Sequence, residues 1–115
     1  MAHEHYRSYI EACQRCAQEC EHCRGACLNE PDVASMTECI RLDSDCAEIC
    51  WMAAGFMSRG SQFAADLCRV CAEICDACGA ECAKHEPEHC QRCAEACRHC
   101  AEECRHMASA AMAWD

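Results

Sequence analysis

Cys68-Arg69-Val70-Cys71-Ala72-Glu73-Ile74-Cys75-Asp76-Ala77-Cys78-Gly79-Ala80-Glu81-Cys82 carries five cysteines at successive steps of three, four, three and four. The same steps recur in Cys13, Cys16, Cys20, Cys23, Cys27 and in Cys90, Cys93, Cys97, Cys100, Cys104. A step averaging about 3.5 residues is the seam of a packed helix and not the spacing of a loop motif. Ala, Glu, Gln and Arg dominate between the cysteines, and only Gly25 and Gly79 weaken the helix there. Each stretch is therefore predicted to be a helix with one continuous stripe of thiols, placed where a bundle normally carries leucine.

The composition makes that substitution decisive. Of 115 residues, 18 are Cys, while Ile, Leu, Val and Phe together number 11. So few large aliphatics is the range of disordered chains, so cysteine must supply the core. A protonated thiol can do this as a small hydrophobe, whereas a thiolate has to be neutralised by a cation. A disulfide scaffold of the secreted type is disfavoured: Gly and Pro are scarce at four and two, and cysteines on one helix face do not meet the bond's dihedral. The formal charge of −10 argues against nucleic acid. No apolar run reaches the length of a membrane span. The start, Met1-Ala2-His3-Glu4-His5, lacks an apolar signal region, so the expected location is the cytoplasm.

Read in order, the first helix is expected from about His3 to Leu28. Asn29-Glu30-Pro31-Asp32 follows, with Pro31 suited to the first position of the second helix, which ends near Met57. Ser58-Arg59-Gly60-Ser61 offers a terminating Gly and a capping Ser. The third helix ends near Lys84-His85, and Pro87 opens a fourth that reaches about Met112. Four similar helices with short links predict an all-α fold, an antiparallel up-down-up-down four-helix bundle with a cysteine-lined core, formed by residues 1–115 as a single domain. The second helix keeps the register as Met36, Cys39, Asp43, Cys46, Cys50, Ala53, Met57, with Asp43 where the other helices place Cys. A second apolar stripe flanks the seam on the middle helices: Leu42, Ile49, Met52, Phe56 and Leu67, Val70, Ile74. With Trp51 it predicts a homo-oligomer.

Neighbours at i+3 and i+4 lie about 5–6 Å apart at Cβ, so two sulfurs can flank one ion, and each interior thiolate can bridge two. Soft thiolates select Cu(I), Zn or iron–sulfur clusters. Zinc knuckles and ferredoxin loops both use spacings this chain lacks. Eighteen bare thiolates would take the charge from −10 to −28, and one monovalent ion per thiolate restores −10. That favours Cu(I), with Ag(I) and a general Zn buffer left open. A thiol redox or sulfur-transfer enzyme needs one distinguished thiol with a base. None stands out, so no catalytic activity is expected.

The repeated Cys-x2-Cys-x3-Cys-x2-Cys-x3-Cys pattern over 13–27, 68–82 and 90–104 resembles that of the copper storage protein (Csp) family, along nearly the whole chain. The resemblance implies many Cu(I) ions along the inside of the bundle, held by paired thiolates in a cytosolic homotetramer, with metal entering at the end that holds the N-terminus. All 18 cysteines match inward positions, so the set extends to Cys39, Cys46 and Cys50. Asp43 in a ligand slot is a departure, read either as a ligand or as a buried acceptor. Met57 and Met107 extend the seam at the N-terminal end as thioether candidates. His85, three residues after Cys82, extends it at the other. His22, His89 and His99 read as surface or interface residues, and the core of small thiols is expected to leave a channel.

Overall fold

The computed structural model describes the backbone of residues 6–113 and side chains through residue 110. The elements are α1 (Arg7–Leu28), a 3-10 turn (Val33–Met36), α2 (Thr37–Ser58), α3 (Ala64–Ala83) and α4 (Glu88–Ala113). They form a rod of 50 × 18 × 18 Å. Each helix packs on two neighbours: α1 and α3 both lie against α2 and α4. With links this short the helices alternate in direction, giving the antiparallel four-helix bundle. The expected start near His3 lies outside the described residues.

Two links behave as the residues dictate. Gly60 has φ +69°, the left-handed region open to glycine. Its N–H reaches Met57 O at 3.1 Å and the Ser61 N–H reaches Phe56 O at 2.9 Å, the paired bonds of a Schellman end. Pro87 stands directly before α4, and its carbonyl accepts the Cys90 N–H at 3.0 Å. Glu88 then faces the positive end of the helix.

The first link departs from expectation. Pro31 does not open the second helix, which begins at Thr37. Ser35 Oγ donates to Asp32 O at 2.8 Å and Thr37 Oγ1 to Ala34 O at 2.9 Å. Such hydroxyl bonds to the backbone compete with the α ladder and hold a tighter turn. Ser61 is also no α-helical cap: its Oγ accepts the Phe63 N–H at 3.1 Å, and α3 starts only at Ala64.

All 18 cysteines are fully buried. Ala17, Ala47, Ala53, Ala72, Ala94 and Ala101 flank them, also buried, and their short side chains let the helices approach. The expected channel is absent among the described residues. Sulfurs of opposite helices touch across the axis, as in Cys46–Cys97 at 3.9 Å and Cys50–Cys100 at 3.8 Å. Sulfur is large enough to close a bundle this narrow. A groove lies on the outside between α3 and α4, lined by Arg69, Glu73 and Arg105. On the flank, Leu42, Ile49, Phe56, Leu67 and Ile74 pack partly against the core, while Trp51, Met52 and Val70 stay exposed.

Candidate metal centre

The 3-4 step places about one sulfur per turn of each helix on the axis, and four helices make this a ladder of contacts. Toward the N-terminal end, Cys13 meets Cys104 at 3.6 Å and Cys100 at 3.7 Å. Cys50 then meets Cys71 and Cys75, both at 3.7 Å. Further along, Cys16 meets Cys97 at 3.7 Å and Cys46 at 3.8 Å, and Cys20 meets Cys93 at 3.6 Å. At the linked end, Cys39 meets Cys82 at 3.3 Å, and Cys23 meets Cys90 and Cys27 at 3.9 and 3.8 Å.

These contacts gather the sulfurs into overlapping groups of four, each with all sulfurs within 4.8 Å of one another. One group is Cys16, Cys46, Cys50 and Cys75, and the next is Cys16, Cys20, Cys46 and Cys97. Cys20 and Cys97 recur with Cys78 and Cys93. Shared members mean that a sulfur serving one ion also borders the next. Cys68 joins the ladder beside Cys104.

Asp43 interrupts the ladder on α2. It is fully buried. Its Oδ1 accepts S–H from Cys78 at 3.2 Å, Cys93 at 3.2 Å and Cys82 at 3.5 Å, while Oδ2 accepts from Cys39 at 3.8 Å. Burial raises the Asp43 carboxyl to about 8. Burial likewise raises Cys27 and takes Cys90 to about 11. Along the ladder a proton shared by two sulfurs belongs to the pair. A desolvated core of this kind holds its protons until a cation replaces them.

Met57 and Met107 are buried beside the N-terminal end of the ladder. His85 sits at the linked end, with Nε2 on Glu81 Oε2 at 2.8 Å and its ring within electrostatic reach of Cys39. His89, read from the sequence as a surface or interface residue, is largely buried at the bundle end. Its side chain is 14% exposed, and Nδ1 lies 3.4 Å from Cys23 Sγ and 3.5 Å from Cys90 Sγ. The seam rule missed it because it falls one position off register. The available signal was its place in the first turn of α4, where Cα–Cβ bonds lean toward the helix start and overhang the bundle end.

Comparison with known proteins agrees with this geometry. A profile of the copper storage protein family matches residues 2–109. The Cu(I)-bound copper storage protein BsCsp3, of Bacillus origin, is 47% identical, covering 94% of this chain and 99% of that one, with a TM-score of 0.86. A cytosolic copper storage protein from Streptomyces lividans, solved with five coppers, is 44% identical over 94% of this chain and 95% of that one, with a TM-score of 0.89. An uncharacterized cysteine-rich protein, YhjQ of Bacillus subtilis strain 168, is 47% identical over 62 residues, 54% of this chain. That match spans only 57% of the relative's own length. The thiol-lined bundle, the profile match along most of the sequence and the close structural relatives place this chain in the copper storage protein family.

Proposed function

We propose that this chain is a non-catalytic cytoplasmic store of Cu(I), with residues 1–115 acting as one binding unit. The observation that carries the reading is the sharing of thiols between overlapping groups of four. Isolated zinc sites would close four ligands on one ion, whereas a ladder of bridging sulfurs suits many soft monovalent ions side by side. The Cu(I)-bound relative and the cytosolic Streptomyces protein loaded with five coppers support both the ion and the compartment. The ligands are the 18 cysteines, with Asp43 completing the ring where α2 lacks a thiol.

Copper enters at the linked end. There His89 Nδ1 faces Cys23 and Cys90, and His85 stands nearby. This moves the mouth away from the N-terminal end that the family resemblance implied. Met57 and Met107 are read as packing residues closing that opposite end, with thioether ligation a secondary role.

Anaerobic titration of the reduced protein with Cu(I) against a competing chelator, followed by metal analysis, tests the reading. The expected result is a colourless protein holding copper in a number near that of its 18 cysteines. Saturation at one to four ions would replace the store with a discrete site, and a brown product with iron would overturn it.

A further inference from the structure

The ring of His89 is held from both sides. On the inner side Nδ1 faces Cys23 and Cys90. On the outer side Nε2 lies 3.1 Å from Glu30 Oε2, a carboxylate from the link between α1 and α2 and 59 positions away in sequence. An ionised carboxylate has no hydrogen to give, so in this contact the proton sits on Nε2. In a neutral imidazole with its hydrogen on Nε2, the lone pair of Nδ1 then points at the two thiols. That is the tautomer a metal ion needs from this nitrogen, and a carboxylate behind a histidine is how protein metal sites commonly fix ring and tautomer together.

We propose that Glu30 is a positioning residue for copper entry, holding the His89 ring with its bare Nδ1 over Cys23 and Cys90. The inference rests on the reading of the linked end as the mouth. The fold explains why the carboxylate comes from this place. The two links lie at the same end of the antiparallel bundle, and Glu30 is turned back by its own N–H bond to Cys27 O at 3.2 Å. A second carboxylate–histidine contact lies at this end, where Glu81 Oε2 meets His85 Nε2. At the other end, the buried Met57 and Met107 offer thioethers, which have no proton to place.

The bland alternative is that Glu30–His89 is only a staple between two links. Three variants of the full reduced chain separate the possibilities: Glu30→Ala, Glu30→Gln and His89→Ala. In the metal-free protein, 15N shifts of the His89 ring are expected to show Nε2 protonated and Nδ1 bare. Glu30→Gln, whose amide oxygen still accepts, should keep that tautomer, and Glu30→Ala should give a mixture. Copper loading is then followed from a bicinchoninate complex of Cu(I). Glu30→Ala and His89→Ala should slow initial capture on the order of 10-fold, Glu30→Gln should load near the wild-type rate, and all should reach the same final copper content. A wild-type ring protonated on Nδ1 overturns the proposal without touching the mouth reading. So does Glu30→Ala loading at full speed while His89→Ala is slow. Full-speed loading by His89→Ala overturns the mouth itself, and the proposal with it.

Discussion

Asp43 shows how one residue sets the electrostatics of the apo core. Its carboxyl titrates at about 8 in the fold, against an ordinary value of 3.8. Between those values the folded protein keeps a proton that the unfolded chain has lost. The contribution of this group is therefore complete below about pH 4 and declines as pH rises through about 8, by on the order of 5 kcal/mol. Asp43→Asn keeps a neutral acceptor in place. Denaturant unfolding of the reduced, metal-free protein from pH 4 to 8 should accordingly show a flatter decline for the variant than for the wild type. Parallel pH profiles would mean that Asp43 is ionised inside the fold.

At the scale of the helices, two glycines have opposite meanings. A Cβ at Gly25 would meet nothing within 4 Å, so Gly25→Ala should raise stability by about 0.5–1 kcal/mol through helix propensity alone. A Cβ at Gly79 would come within 3.2 Å of Cys97 Cβ and 3.5 Å of the Ala94 carbonyl. At that glycine α3 approaches α4 closely. Gly79→Ala should lose about 1–3 kcal/mol to overpacking, more than the helix gains. The two variants side by side in urea unfolding check this, and a stabilised Gly79→Ala would show that α4 yields there. The outer faces add modest stitching. Arg92 pairs with Glu19 at 3.2 Å between α4 and α1, Arg105 pairs with Asp76 between α4 and α3, and Arg24 Nε donates to Ser44 Oγ at 2.8 Å between α1 and α2.

For the whole molecule the question is whether copper makes the fold or fills it. The core closes on protonated thiols in contact, and a carboxyl in the middle accepts four of their hydrogens. The apo chain is therefore expected to give a helical circular dichroism spectrum when reduced and metal-free, unlike a zinc finger. A coil that turns helical only on adding Cu(I) would contradict this. Copper should then raise the melting temperature by binding the folded state alone. We also expect a homo-oligomer, with the exposed Trp51, Met52 and Val70 beside the half-buried flank of α2 and α3 as its interface. Four copies is the number the family resemblance implies. Sedimentation at micromolar concentration tests it, and a stable monomer would refute it.

The sequence by itself determined the bundle, because a 3-4 repeat of cysteines admits one buried stripe per helix, and Gly60 and Pro87 mark two of the link boundaries by backbone geometry alone. It also determined which 18 thiols face inward, since register fixes direction. The first link was not legible: its hydroxyl–backbone bonds compete with the helix locally, and Pro31 alone does not reveal the outcome. Nor was the closed axis, which depends on how near the helices come. Only the tertiary structure placed Asp43 under four thiols from three helices. Only it brought Glu30 and His89 together over Cys23 and Cys90. Periodicity along a chain specifies the face of one helix, while a site at a bundle end is assembled from residues off that period, carried by links that meet only when the helices have packed.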